Sequence, residues 1–197
     1  MRGKILDAAR ELFVKEGYDA VTMRRIAEKI EYSPTAIHVH FEDKAALVRA
    51  LCDRDFGELS EKFAAIARIP DPVEKLHKLG EAYVKFGLSL PSHYRFMFMT
   101  PGLPSKVELS RLERGNPDQD AYALLRSTVV QVMAAGLMRK DLKDPDLVAQ
   151  VVWASVHGIV ALAIAKGEDR WVDWRPVKKV TALLVDTLMR GLMAEEI

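Results

Sequence analysis

A single cysteine, Cys52, in 197 residues leaves no intrachain disulfide to form and fits a reducing compartment. No apolar stretch runs far without Lys, Arg, Asp or Gln, so no bilayer-spanning segment is expected. Met1-Arg2-Gly3-Lys4 leads at once into an amphipathic pattern with Asp7, Arg10 and Glu11, without the apolar core and small-residue cleavage site of a signal peptide. These absences predict a soluble, cytoplasmic chain with no membrane partner. Charge of one sign is also lacking: the net charge is +1, and residues 1–49 carry nine Lys or Arg against eight Asp or Glu. A nucleic-acid binder ordinarily shows a basic footprint. Bulk charge therefore gives no argument for DNA, and only a shared face for Arg24, Arg25, Lys29 and Lys44 could.

Catalytic machinery is missing too. There is no phosphate-cradling glycine loop, no nucleophile elbow and no cysteine-rich site. The five histidines are scattered, and His38 and His40, two apart on a helix, point to different sides and are poorly placed to share a metal. No catalytic residue, metal or cofactor is expected.

What the sequence has is helical periodicity, in a chain that is 49% hydrophobic and so able to build a core. Ile5, Leu6, Ala9, Leu12 and Phe13 form the stripe of a helix over 3–16, stopped at Gly17. Thr22 caps a short helix from Met23 to Ile30, and Ser33 caps a third, with Pro34 in its first turn, ending near His40. Asp43 or Glu42 opens a long helix to about Ala67. Asp71-Pro72 opens a helix to about Leu90, Asp144-Pro145 another to about Lys166, and Pro176 the last, to about Ala194. Between them come a short helix over 92–98 and one over 119–136 ended by Gly136. Thr100 to Asp118 holds three prolines and reads as a loop with one helical turn around 105–112. The fold class is all-α, about nine helices: a three-helix domain over 1–48, joined through the helix 43–67 to a helical domain over 49–197.

Thr22 to Phe41 has the spacing of a helix-turn-helix. Ile26, Ala27, Ile30 and Ile37, bracketed by Val21 and Phe41, would be its buried underside. Thr35, His38 and Val39 would then face a major groove. Arg24 or Arg25 could add base contacts, and Thr22, Ser33, Pro34, His40 and Lys44 sit near helix ends suited to phosphate. From spacing alone, a plain three-helix cap on a helical protein is an equal reading.

Residues 4–51 resemble the N-terminal domain of the TetR (tetracycline repressor-type) family. The resemblance is carried by Ile5-Leu6-Asp7-Ala8-Ala9-Arg10-Glu11-Leu12-Phe13, Gly17-Tyr18, Thr22-Met23-Arg24-Arg25-Ile26-Ala27, Ser33, His40-Phe41-Glu42-Asp43-Lys44 and Leu47. It implies a homodimer that binds a palindromic double-stranded DNA operator, most often as a repressor, and is released by a small, mostly apolar effector. The alternatives are a small-molecule-binding enzyme and a helical dimer that binds no DNA. The resemblance also implies that Thr22 and Lys44 touch backbone phosphate. Three departures matter. The family usually has Gly where Glu31 stands, so Glu31 carries about 1–2 kcal/mol of left-handed strain or the turn differs. It often has Gly where Thr35 stands. It usually has a phosphate-binding Tyr where His38 stands, which leads to the expectation that operator affinity rises as pH falls through about 6.5, where a histidine ordinarily gains charge.

In the second domain, Phe63, Tyr83, Phe86, His93, Tyr94, Met97, Phe98, Met133, Trp153 and His157 are candidates to line an effector pocket, with ordinary core the competing role for each. Trp153-Ala154-Ser155-Val156-His157-Gly158 is similar to the motif of the family's WHG-type C-terminal domain. His157 is read first as a structural hydrogen-bonder. The resemblance places dimerisation on the last two long helices. Both are apolar around most of their girth and must bury a second face, with Val148, Val152, Val156, Val160, Leu184, Leu188 and Leu192 as the expected contacts.

Overall fold

After the first helix, which starts at Arg2 without a side-chain cap, the helices begin where the sequence supplies an acceptor for their first free N–H groups or a proline that has none to offer. A computed structural model of the chain describes residues 1–103 and 112–194. Among these residues it contains α1 (Arg2–Glu16), α2 (Met23–Lys29), α3 (Pro34–His38), α4 (Lys44–Ala67), α5 (Pro72–Ser89), α6 (Pro91–Met99), α7 (Ala121–Ala134), α8 (Pro145–Lys166) and α9 (Val177–Leu192). The Thr22 hydroxyl accepts from Arg25 N at 3.1 Å, and Ser33 Oγ from Ala36 N at 3.2 Å. Asp43 Oδ1 accepts from Ala46 N at 2.6 Å, settling which residue opens α4. Asp144 Oδ1 takes the N–H groups of Asp146 and Leu147 at 2.9 and 3.2 Å, with Pro145 in the first turn. The helical turn expected at 105–112 falls outside the described residues but for Leu112.

By its internal contacts the chain divides into Met1–Glu58 with Leu90–Glu113, and Leu59–Ser89 with Arg114–Ile197. This is not the partition into 1–48 and 49–197 expected from the sequence. The division falls inside α4, ten residues further on, and the α6 segment joins the first unit. Aromatic packing explains the second difference. Phe96 is fully buried with its ring 6.0 Å from that of Phe13 on α1. Tyr94 packs on Phe98 at 4.9 Å, and Phe98 meets Phe56 of α4 edge-on at 5.9 Å.

A buried ion pair binds α1 to α4 in the first unit. Arg10 donates from Nε to Asp55 Oδ2 at 2.8 Å and from Nη2 to Oδ1 at 2.6 Å, a two-pronged fork with Asp55 0% and Arg10 5% exposed. His93 of α6 brings Nδ1 to 3.4 Å from Asp55 Oδ1 and 3.5 Å from Glu58 Oε2. Burial alone would raise the Asp55 carboxyl. His93 and Arg10 override it and hold the group below its ordinary value. Arg10 is the firmer hold of the two, because both its bonds are short and aligned while the His93 nitrogen makes no aligned bond.

The second unit packs α5, α7, α8 and α9 around Leu76, Val129, Val132, Met138, Val148, Ala149, Val152 and Leu192. A Cβ added at Gly80 of α5 would lie 3.5 Å from Val185 of α9 and 3.6 Å from Val156 of α8, so these helices meet closely at a residue with no side chain. After α7, Gly136 adopts φ 71°. Gly136 N donates to Met133 O and Leu137 N to Val132 O, ending the helix as its composition implied. The chain then forms a single antiparallel bridge, Met138 to Met193, with Arg139 N on Leu192 O at 3.0 Å and Ala194 N on Leu137 O at 2.9 Å.

α8 corrects two expectations. By length and composition it is long and apolar enough to cross a membrane, contrary to the reading of its polar interruptions, although only 28% of that stretch is buried within the chain. Its valines Val148, Val152, Val156 and Val160, with Leu192 of α9, are at most 8% exposed. They are the inner face of this unit and not a surface for a partner. Leu184 and Leu188 are half-buried.

Replacing Asp55 by Ala strands the Arg10 guanidinium in the interior and should cost about 3–5 kcal/mol of unfolding free energy at pH 7. The folded carboxyl titrates below its ordinary 3.8. The stabilisation is therefore complete above that value and is lost as pH falls below it toward the lower folded value. Denaturant unfolding of wild type and Asp55→Ala should show a difference that shrinks below pH 3.8. A variant within about 1 kcal/mol of wild type at pH 7 contradicts the fork's role.

Candidate nucleic-acid interface

α2 and α3 pack through the side chains that their spacing put on one face. Val21, Ile26, Ala27 and Ile37 are fully buried, Phe41 nearly so, and Ile30 half-buried. The turn between them closes by two backbone bonds: Glu31 N to Glu28 O at 3.2 Å and Tyr32 N to Ala27 O at 3.0 Å. This is the same helix-ending pattern that Gly136 makes after α7, and it requires a left-handed residue at its first position past the cap. Glu31 occupies it with φ 61°, the single non-glycine residue with positive φ among those described. The expected strain is therefore present and the turn keeps its ordinary form.

With the underside buried, the outer side carries Ser33, Pro34, Thr35, His38 and Val39, all exposed, Val39 at 78%. His40 is half-buried. Tyr32 is exposed beside this group. Sequence reasoning passes over it, although an aromatic residue in a tight turn has no core within reach. His38 Nδ1 lies 3.0 Å from Glu42 O. A carbonyl can only accept, so Nδ1 is the donor. Nε2 of the neutral ring is then an acceptor, and becomes a donor only when a second proton binds.

The cations divide into two kinds. Arg24 pairs with Glu28 at 3.1 Å, Arg25 with Glu16 at 3.3 Å, and Lys29 with Glu11 at 2.7 Å, all on the surface. Exposed pairs of this kind contribute about 0–1 kcal/mol and exchange partners readily. Lys44 differs. Its Nζ donates to Tyr18 O at 2.6 Å and Val21 O at 2.8 Å, and stands 4.0 Å over the Tyr18 ring. Burial of the ammonium pushes its pKa down, with Asp19 partly offsetting this. In this structure the Lys44 side chain ties the start of α4 to the segment before α2, and is not turned to solvent. Arg2, which the sequence did not single out, makes a matching tie: Nη1 donates to His40 O at 3.3 Å and the guanidinium lies 4.4 Å from the Phe41 ring centre.

The expected pocket residues fall into two groups. His93, Tyr94, Met97 and Phe98 belong to the first unit, in the aromatic and ionic packing around Phe13, Phe56 and Asp55. Phe63, Tyr83, Phe86, Met133, Trp153 and His157 belong to the second. Three of these form a polar chain between α5 and α8. Trp153 Nε1 donates to Tyr83 Oη at 3.0 Å, and Tyr83 Oη shares a hydrogen bond with His157 Nδ1 at 3.2 Å. Tyr122 of α7, absent from the sequence candidates, sets its ring 5.8 Å from that of Trp153, tilted by 55°. Burial pushes the His157 imidazole down, favouring its neutral form. The role as a structural hydrogen-bonder matches this geometry.

On the outer side of α8, Leu147, Val151, Ala154 and Leu162 are exposed, opposite the valine face. A Cβ built on Gly158 meets nothing within 4 Å. The chain's own packing therefore does not require glycine there. On α9, Val180 and Leu183 are exposed, Leu183 at 68%.

Residues 5–51 match the family described as bacterial regulatory proteins, tetR family, and residues 76–188 match the tetracyclin repressor-like C-terminal domain. The chain is 35% identical over 186 residues to the HTH-type transcriptional regulator TtgR of Pseudomonas putida, covering 87% of this chain and 88% of that one. It is 32% identical over 117 residues to the HTH-type transcriptional repressor Rv1474c of Mycobacterium tuberculosis, a match spanning 59% of this chain and about half, 53%, of that relative's length. Among solved structures, the transcriptional regulator FadR from Bacillus subtilis in complex with stearoyl-CoA superposes with a TM-score of 0.76 at 14% identity, covering 97% of this chain and 99% of that one. This last likeness is one of fold.

Replacing Glu31 by Gly removes the left-handed strain while adding glycine's backbone entropy, about 0.5–1 kcal/mol. The expected result is a thermal midpoint equal to or above wild type. A fall by the full glycine penalty, as at an ordinary helical position, contradicts strain at Glu31.

Proposed function

The chain belongs to the tetR family of bacterial regulatory proteins, and we propose that it is a repressor that grips a palindromic duplex as a homodimer and lets go when a small, mostly apolar effector binds. The observation that carries this is the exposed row Thr35, His38 and Val39 on a helix whose opposite side, Ile37, is wholly buried. That row faces the major groove. Arg24 and Arg25, held only by surface carboxylates, turn to phosphate or base edges, since a phosphate oxygen can replace a glutamate at little cost. Thr22 and Ser33 act as helix caps beside the phosphates. Lys44 shapes the domain by its two carbonyl bonds, and reaches phosphate only after giving one of them up.

The second unit supplies the effector response. The polar chain Trp153–Tyr83–His157, in the same unit as Phe63, Phe86 and Met133, suits an apolar ligand with one polar end. The stearoyl-CoA bound by the Bacillus FadR makes long acyl chains the first ligands to test. The effector must bind the non-operator form more tightly than the operator form, because equal affinity shifts nothing. Dimerisation holds two recognition helices about one duplex turn apart, roughly 34–36 Å. The partner covers the outer face of α8 and the exposed side of α9, replacing the valine contacts assigned from the sequence. This also gives α8 a soluble use for its unburied apolar length, and no membrane partner is needed.

Duplexes selected from a random pool should share a palindrome, and binding should weaken steeply with salt. On that site Thr35→Ala should change preference at particular base pairs. The absence of any palindrome, or a Thr35→Ala variant with unchanged base preference, counts against the assignment.

Gly158→Leu puts a large side chain where the chain itself has room and the partner helix does not. The variant should unfold at the wild-type temperature yet dimerise at least about tenfold more weakly by sedimentation. Unchanged dimerisation would remove α8 from the interface.

A further inference from the structure

The segment between α8 and α9, residues 167–176, is built to hold its shape. Asp169 N donates to Lys166 O at 2.9 Å, and Trp174 N to Val172 O at 3.0 Å. Trp171 N donates to Asp169 Oδ1 at 2.9 Å, and Trp174 Nε1 to Asp169 O at 3.0 Å. These bonds present Trp171 at 92% exposure, with Val172 and Trp174 exposed beside it. An indole held this far into water is unusual for so large an apolar group, and tryptophan is enriched among residues that anchor interfaces.

The exposure is continuous with the helices on either side. Among the described residues, eight of the fourteen exposed large hydrophobic side chains lie between Leu147 and Leu183, three of them in this segment and the others on α8 and α9. The charges nearby alternate in sign: Glu168, Asp169 and Asp173 stand among Arg170 and Arg175, with Arg175 paired to Asp173 at 2.9 Å. Such a border suits the polar rim of a protein interface better than an anionic lipid surface, which calls for a cluster of one sign.

We infer that this segment is an arm by which each copy holds the other, with Trp171 seated on the α8–α9 face of a second copy of this chain. The inference rests on the dimer reading given under the proposed function. A two-fold pairing is self-complementary, so a residue that protrudes from one copy must find its receiving surface on the same chain. The apolar outer face of α8 and α9 is that surface.

The test is sedimentation of the full chain in a dilution series, wild type against Trp171→Ala, with emission spectra of wild type and Trp171→Phe. Trp171→Ala should raise the dimer dissociation constant about thirtyfold and leave the thermal midpoint of the diluted monomer unchanged, since the side chain supports nothing in its own copy. The emission lost in Trp171→Phe should be that of a water-exposed indole at high dilution and shift to the blue as dimer forms. A wild-type chain that stays monomeric overturns the dimer reading and the arm with it. A wild-type dimer with the same constant in Trp171→Ala overturns the arm alone. A blue shift that appears only with vesicles of anionic phospholipid also overturns it, in favour of a membrane surface.

Discussion

The first unit depends on one buried fork. Arg10 and Asp55 lie 45 residues apart, and each would be costly to bury alone. Together, with two short bonds of fixed direction, they join α1 to α4 at one point. The fork leaves little freedom because an ion pair removed from water tolerates poor geometry far less than an apolar contact does. Its surroundings repeat the theme: Asp7 takes bonds from Arg10 and Arg54, and His93 reaches in from α6. The Lys44 and Arg2 ties close the same unit from the other end, each by capping backbone carbonyls with a cation.

On the proposed reading, this use of charge reconciles a duplex-binding role with a net charge of only +1. Several of its cations are occupied by the chain's own carboxylates and carbonyls before any duplex arrives. What that reading leaves for recognition is a shape, namely a short helix presented by a buried underside, with Thr35, His38 and Val39 in water. The same reading takes its phosphate attraction from pairs that exchange cheaply at the surface, such as those of Arg24 and Arg25.

The second unit is governed by α8, a helix with two apolar faces. Branched valines fill the inner one, where each fully buried side chain stabilises by about 1.5–3 kcal/mol. The outer face carries Leu147, Val151 and Leu162 interspersed with Ala154 and Gly158, a surface on which another helix can lie close. A helix apolar all round does not say by itself which side turns inward, so periodicity alone offers the valine face as the interface. The pocket candidates divide between the two units for a related reason. Tyr94, Met97 and Phe98 look like any aromatic lining until Phe13 and Phe56 are seen to claim that segment for the first unit.

Local chemistry was legible in the sequence. Thr22, Ser33, Asp43 and Asp144 cap N–H groups two or three residues away, Gly136 takes the left-handed turn beside it, and Ile26, Ala27 and Ile37 share a face by helical spacing. Such contacts span a few residues and are decided by which residues are neighbours. The tertiary structure alone decided which side of α8 is core, that Lys44 points inward, that Arg10 finds Asp55, and that Met138 bridges Met193. Each of those joins residues more than twenty positions apart or chooses between faces of equal polarity. No short-range preference distinguishes such alternatives until the chain has packed.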